Sequence, residues 1–321
     1  GQPRRPAIRT GGALVKAVVY KADGAPEVLQ IVDLPKPAPK DGEVLVKVHA
    51  TTVTIGDTIM RSLKIPVPGW QRVLARVYLG VRAPKRSILG MELAGDVEAV
   101  GKDVRRFKVG DQVFASTFDL DFGGYAEYKC FPEEATIAAK PAGLSYAEAA
   151  ALVGGGMTAL RCVRKADIRP GQKVLVYGAS GAVGTCAVQI AKNHFGAEVT
   201  GVCGAANLDL VRSLGAGQVL DYTAPDFDIG AAVYDVVFDA VGKLDPSRGR
   251  KALKKTGVYL NVLKDSGSAE RMSEFLALKD LAEAGKIRPV IDRSYSLEQI
   301  VEAHRYVDTG HKRGNVAIEV G

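Results

Sequence analysis

Hydrophobic and polar positions change rhythm part-way along the chain. From residue 16 to about residue 131 the chain runs in short alternating stretches, KAVVYK, VLQIVDL, EVLVKVHATTV, GDVEAV and DQVFAS, split by turns such as PAPKDG and VGD. Alternation bounded by Gly, Pro and Asp predicts half-buried strands, so this part reads as an antiparallel, barrel-like sheet. From residue 145 the spacing becomes that of helices and strands in turn. SYAEAAALVGGGMTALRCVRKA predicts a helix, KVLVYGA a buried strand, GTCAVQIAKNHF a helix and EVTGVC a strand. ANLDLVRSLGA then predicts a helix, QVLDY, YDVVFDAV and GVYLNV three more strands, and residues 293–320 one amphipathic helix and a last strand. Strands alternating with helices form βαβ units, which lay parallel strands into one doubly wound sheet. The predicted class is α/β, with that sheet joined to an antiparallel β-barrel.

One run between the strands has helical spacing. In WQRVLARVYLGVRAPKR, Trp70, Val73, Leu74, Val77 and Tyr78 repeat as one apolar face, with Arg72, Arg76, Arg82, Lys85 and Arg86 beside it. This predicts a helix covering a pocket, with Trp70 in its lining; contact with anionic lipid is the second reading.

Composition narrows the class. The 321 residues, 47% hydrophobic and 25% charged, describe a globular protein with more than one core. No apolar run approaches the roughly 18 residues of a membrane span. The opening GQPRRPAIRTGG is basic but has no apolar centre, so residues 1–15 read as a flexible extension rather than a secretory signal. Cys130, Cys162, Cys186 and Cys203 lie far apart with no CxxC pair, which argues for reduced thiols, a cytoplasmic setting and no zinc knuckle. The net charge of +7 is spread along the chain instead of gathered in a stripe, so no nucleic-acid partner is expected.

The strongest local signal is VLVYGASGAVGTCAVQIAK. A buried strand runs into Gly178, Gly181 and Gly184 and a helix starts at once. Glycines at that junction let the backbone approach a pyrophosphate, and the free N–H groups of the turn, from Ser180 through Ala182 and Val183, hold its charge with the helix dipole. About twenty residues on, a fold selective for NAD places a carboxylate against the ribose 2′-hydroxyl. Here stand Cys203, Gly204, Ala205, Ala206 and Asn207. Nothing there repels a 2′-phosphate, so NADPH is favoured and NADH stays possible. Asn207, Tyr222 and the pair Lys312 and Arg313 are the candidate polar partners. Val241 and Val262, after strands at the carboxyl edge of the sheet, complete the expected cofactor cleft with Asn315.

These pieces together resemble the medium-chain dehydrogenase/reductase superfamily, specifically its zinc-free quinone oxidoreductase branch. The resemblance runs nearly from Lys16 to Val320, through ATTVTIGD, ILGMELAGDVEAVG, VGDQVFA, GGYAEY, YGASGAVGTCAVQIAK, LVRSLGAGQVLDY and FDAVG. It implies a co-chaperonin-like β-barrel domain (residues 16–137 and 290–321) and a Rossmann dinucleotide-binding domain (138–289). The zinc ligands of metal-bearing members fall here on Thr54, Met91 and a position near Gly155. A hydroxyl, a thioether and a glycine cannot make a tetrahedral zinc site, so no metal is expected and Met91 is read as lining an apolar pocket with Asp57 and Phe122. Asp57 also reads as a cap for the following helix. The resemblance puts Thr54 beside the nicotinamide, where its hydroxyl could donate to a substrate carbonyl as the catalytic contact, and Thr158 near the cofactor's phosphates. The four histidines look bland, none spaced for a ligand pair or a relay.

Without zinc, the implied reaction is NAD(P)H-dependent reduction of a quinone or an α,β-unsaturated carbonyl, whose conjugated carbonyl takes up the electron pair itself. A dinucleotide-binding structural or RNA-binding protein is the alternative. The resemblance also exposes a shortage of chain. A doubly wound sheet has about six strands, yet between Val262 and a helix starting near Glu270 stands only LKDSGSA. Either the sixth strand, which in relatives pairs across a homodimer, is truly deleted, or residues are missing at a junction between Lys264 and Asp265. The second is the expectation.

Overall fold

The computed structural model describes residues 13–64, 84, 87–267 and 271–321. Trp70 and the rest of the basic amphipathic run, apart from Pro84, lie outside the described residues. The first strands are β1 (Leu14–Val19) and β2 (Gln30–Pro35), an antiparallel pair. β3 (Glu43–Val53) leads into the short helix α1 (Ile55–Ser62), and β4 (Glu92–Val100), β5 (Gln112–Ser116), β6 (Tyr128–Pro132) and β7 (Ile137–Ala139) follow. The long helix α2 (Tyr146–Arg164) then opens the alternating half: β8 (Lys173–Tyr177), α3 (Ala182–Gln189), β9 (Glu198–Cys203), α4 (Leu208–Ser213), β10 (Gln218–Asp221), β11 (Tyr234–Asp239), α5 (Pro246–Ala252) and β12 (Leu253–Asn261). The chain closes with α6 (Val262–Asp265), α7 (Met272–Glu283), β13 (Ile291–Ser296), α8 (Ile300–Asp308) and β14 (Asn315–Glu319).

Two sheets carry the architecture. β10, β9, β8, β11 and β12 form an all-parallel sheet in that order. β13, β14, β3, β4, β5 and β7 form the second, with β6 paired to β3. The C-terminal strands β13 and β14 therefore return to the sheet built by the first half of the chain. The expectation of a purely antiparallel barrel needs one correction, because β13 runs parallel to β14. A helix, α8, connects those two strands, and a helical crossover is what permits a parallel pair.

Helix α2 joins the halves. Ser145 and Glu148 cap its start reciprocally, and its middle is buried against both sheets. From Ala149 to Leu160 only Gly154 and Thr158 are not fully buried. They stand four residues apart, on one face of the helix.

The expected junction, Lys264–Asp265, falls within α6. Both residues belong to one helical turn, in which Ser266 N–H donates to Val262 O at 3.3 Å and Asp265 accepts from Asn261 N–H at 2.8 Å. β12 is an edge of a five-stranded sheet among the described residues.

Candidate functional site

The glycine-rich turn sits where the sequence places it, between β8 and α3. Gly178 N–H and Ala179 N–H both donate to Val202 O on the neighbouring strand, which folds the turn tightly over the sheet edge. Gly184 has to be glycine: a Cβ there would lie 2.1 Å from Gly178 O. Ala182 and Val183, the first residues of α3, lie at the end of the helix where backbone N–H groups have no partner within the helix.

At the end of β9, the Asn207 amide donates to Ser180 Oγ at 3.3 Å, and its Oδ1 is buried with no hydrogen-bond partner. A buried acceptor left unpaired calls for a donor from outside the chain. Tyr222, half-exposed, lies about one van der Waals contact from Gly204. The structure thus brings Ser180, Gly204, Asn207 and Tyr222 together, with the buried Cys203 beneath them. Val241 packs over Gly178, and Val262 opens the turn after β12. These features fit a dinucleotide: a cradle only glycine permits, helix-terminal donors and an orphaned acceptor at the ribose end.

Other cofactor assignments move. Arg313 lies 3.6 Å from Asp292, and its backbone N–H donates to the same carboxylate at 3.0 Å. Asn315, 4% exposed, holds Val290 O through both its backbone and its side-chain nitrogen. The Asn315 amide nitrogen is thus committed within the chain, whereas the Arg313 guanidinium is half exposed beside Asp292.

On the barrel side, Thr54 and Asp57 make a capping box at the start of α1. Thr54 N–H and Oγ1 donate to Asp57 Oδ2 at 2.9 and 2.7 Å, and Asp57 N–H donates back to Thr54 Oγ1 at 3.0 Å. The hydroxyl hydrogen expected to face a substrate carbonyl is therefore committed to Asp57. Thr54 acts here as a helix cap, a correction of its catalytic assignment. Asp57 is fully buried, and Oδ1 accepts from Gly90 N–H at 2.9 Å. Burial pushes its carboxyl pKa up, against the pull of donors from Thr54, Gly90 and Tyr125.

A buried chain of hydrogen bonds stands behind that carboxylate, and sequence reasoning missed it. Arg61 can only donate, so His304 Nδ1, 3.1 Å from its guanidinium, accepts. The ring proton then sits on Nε2 and goes to the Tyr125 hydroxyl oxygen at 3.1 Å, and the Tyr125 O–H bonds to Asp57. Burial, with the Arg61 charge adding to it, holds His304 down to about 3, so the ring is neutral. Asp308 anchors the far end, 2.7 Å from Arg61. His304 looked bland because its partners lie 179 and 243 residues away. The one local hint was the GGYAEY run that carries Tyr125.

Met91 lies between Thr54 and Gly56: its sulfur is 3.7 Å from Thr54 Oγ1 and would be 2.7 Å from a Cβ on Gly56. Phe122 is 2% exposed and belongs to the barrel core beside Phe118, deeper than a pocket-lining position. Beside Met91, Glu92 is 1% exposed; Thr52 Oγ1 donates to its Oε1 and Gly154 N–H to its Oε2 at 2.5 Å. Burial first of all, and the nearby Asp57 charge, raise Glu92 to about 7 against those bonds and Lys312.

The metal positions of the resemblance do not fit zinc. Thr54 and Met91 offer a hydroxyl and a thioether, and Gly155 has no room for a ligand, since a Cβ there would meet Ala182 O at 2.8 Å. Among the described residues no group of three or more His, Cys, Asp or Glu side chains could hold a metal ion. A separate groove of about 550 Å³, lined by His49, Tyr146, Glu148 and Ser294 among others, opens at the start of α2. It lies about 18 Å along that helix from Thr158, so it is not part of the cleft.

Comparison with known proteins bears on the whole chain. The alcohol dehydrogenase GroES-like domain matches residues 40–142, and two zinc-binding dehydrogenase models match 182–287 and 266–318. The 2-methylene-furan-3-one reductase of Solanum lycopersicum is 33% identical, covering 95% of this chain and 79% of its own. The chain belongs to the medium-chain dehydrogenase/reductase superfamily, in its quinone oxidoreductase branch. Quinone-oxidoreductase QR1 of Triphysaria versicolor, chloroplastic, is a superfamily relative at 32% identity over 96% of this chain and 99% of its own. That alignment spans 343 positions, more than the 321 residues here, so the relative has residues for which this chain has none. The structure of the quinone oxidoreductase from Coxiella burnetii superposes with a TM-score of 0.83 at 30% identity, over 96% of this chain and all of its own.

Proposed function

We propose that this chain is an NAD(P)H-dependent reductase of quinones or α,β-unsaturated carbonyls that works without zinc and favours NADPH. One observation carries the reading: beside a cleft built for a dinucleotide, the superfamily's metal positions hold Thr54, Met91 and Gly155. In a zinc-bearing site the metal is the Lewis acid that stabilises the alkoxide of an alcohol substrate, whereas a conjugated carbonyl accepts an electron pair without one. When bound, the reduced nicotinamide supplies a hydride from C4. The chain contributes position and dryness. The turn at Ser180–Val183 seats the phosphates and Asn207 Oδ1 accepts from the adenosine ribose. Met91 packs an apolar wall beside the Thr54 cap, and the Asp57 chain keeps that cap rigid. The absence of a carboxylate at Gly204–Asn207 supports NADPH over NADH.

The alternative, a structural or RNA-binding protein, draws no support from the names of the relatives above. Among the described residues no helix is long and apolar enough to cross a membrane. The thiols are free, three of them buried, which favours a reducing compartment such as the cytoplasm.

The test is a panel of benzoquinones and alkenones, followed at the nicotinamide absorbance with NADPH and NADH after dialysis against EDTA, alongside elemental analysis. Turnover that survives EDTA, faster with NADPH and without stoichiometric zinc, is the expected result. A protein inert across the panel overturns the reductase reading, and turnover that is lost with its zinc overturns the metal-free one.

A further inference from the structure

Asp239 ends β11, is fully buried, and takes no part in the assignments above. Its carboxylate folds the following loop around itself. Oδ1 accepts from Val241, Gly242 and Lys243 N–H at 3.2, 2.8 and 3.3 Å, and Oδ2 accepts from Leu244 N–H at 3.0 Å. A side chain supplies one more donor. Asn261 ends the neighbouring parallel strand β12 in register with Asp239, and its Nδ2 donates to Asp239 Oδ2 at 3.1 Å. Asn261 shapes its own loop as well: Oδ1 accepts from Leu263 N–H at 3.0 Å, and Asn261 N–H donates to Asp265 Oδ2 at 2.8 Å. The two loops also interlock through apolar side chains. A Cβ on Gly178 would lie 2.5 Å from Val241 Cγ1, so Val241 covers the glycine-rich turn. A Cβ on Gly242, whose φ is +71°, would lie 2.6 Å from Leu263 Cδ1, so Leu263 lies on the backbone of the Asp239 loop. Val241 and Leu263 nonetheless stay exposed, on adjacent loops at the carboxyl edge of the sheet.

We propose that Asp239 and Asn261 are positioning residues for the nicotinamide half of the cofactor: their hydrogen bond ties the two loops together and sets Val241 and Leu263 as the apolar wall that the ring lies against. The proposal rests on the dinucleotide reading above. Strand order says which half of the cofactor these loops meet. In the order β10, β9, β8, β11 and β12, Asn207 follows β9, the glycine-rich turn follows β8, and the two loops follow β11 and β12. A dinucleotide with its adenosine ribose at Asn207 and its pyrophosphate at the turn therefore carries its nicotinamide over the Asp239 and Asn261 loops. Neither polar side chain touches the ring; each acts through the loop it holds. Hydride transfer depends on where the ring sits, and a misplacement of about 1 Å can cost on the order of a hundredfold in rate. Affinity depends instead on the phosphate and ribose contacts, which lie on the loops after β8 and β9. The tie therefore governs rate more than binding.

The test compares the full wild-type chain with Asn261→Ala and Leu263→Ala. Asn261→Ala removes the tie, while Asp239 keeps its four backbone donors and with them the loop after β11. Leu263→Ala removes part of the wall and leaves every hydrogen bond of the two loops in place. Truncation at an exposed position changes stability little, so this second variant decides the matter even where Asn261→Ala fails to fold. For each protein, NADPH is titrated by its own fluorescence, and single-turnover hydride transfer is followed by stopped flow with the fastest acceptor of the panel above. Both variants should transfer hydride about 10- to 100-fold more slowly than wild type. Their dissociation constants for NADPH should stay within about threefold of the wild-type value. Emission of the bound nicotinamide should fall in both, because its ring has lost an apolar wall. A hydride-transfer rate within about threefold of wild type in Leu263→Ala or in a folded Asn261→Ala, or a rate loss matched by an equal loss of affinity, overturns the positioning role alone. A wild-type protein that binds no dinucleotide, or is inert across the panel, overturns the reductase reading and the positioning role with it.

Discussion

Two buried carboxylates, 35 residues apart in sequence, are both pushed up in pKa by burial but differ in how many donors enclose them. Asp57 is enclosed by donors from Thr54, Gly90 and Tyr125, and the last of these is held in turn by His304 and Arg61. Glu92 has two donors and otherwise answers to the distant pull of Lys312. A charge that is fully hydrogen-bonded behaves as part of the scaffold, whereas one left short of partners stays ready to exchange a proton. Asp57 is therefore fixed by its donors, whereas Glu92, also on the barrel side in β4, is held by fewer.

The sharpest break in that contrast is Asp57→Ala. It strands buried donors of Thr54, Gly90 and Tyr125, and each unpaired one costs about 1–3 kcal/mol. A loss of about 3–5 kcal/mol is expected, read from the denaturant midpoint at constant slope. A loss under about 1 kcal/mol would mean water replaces the carboxylate and the network is not structural.

Glu92→Gln should cost less and leave a different signature. A carboxyl raised from 4.5 to about 7 stabilises the fold fully below pH 4.5, and that contribution is lost as pH rises toward 7. The wild-type midpoint should fall through that window, by on the order of 3 kcal/mol from this group at most, and the fall should be absent from Glu92→Gln. Parallel pH profiles for the two proteins would place the titration elsewhere.

Gly154→Ala sharpens the same point with the smallest effect. Alanine favours the helix by about 1 kcal/mol, but its Cβ would sit 2.7 Å from Glu92 Oε2 and push the carboxylate off the Gly154 N–H. Net stability should change by no more than about 1 kcal/mol. The pH limb of Glu92 should move upward, because a bond that favours the charged form is weakened. An unmoved limb would show that Gly154 does not set it.

What the sequence determined by itself is the set of features that local pattern encodes. Strands β3, β8, β9 and β11 and helix α2 follow from periodicity, because a chain that buries one face of a strand or helix must repeat its apolar residues at that element's period. The glycine-rich turn was legible for a related reason: Gly184 has to be glycine whatever surrounds the fold, since the clash it avoids is with Gly178, six residues away. The poverty of the metal positions was equally plain, because ligand chemistry belongs to residue types. The tertiary structure alone decided how polar groups pair. It turned the Thr54 hydroxyl into a cap, gave Asn315 to Val290 and Arg313 to Asp292, and drew His304, Tyr125 and Arg61 into one line. It also carried Lys312 across 220 positions to the neighbourhood of Glu92. The reason is physical. Burial strengthens electrostatic and hydrogen-bond partnerships and fixes who meets whom, and burial is a property of the packed chain that no stretch of sequence contains.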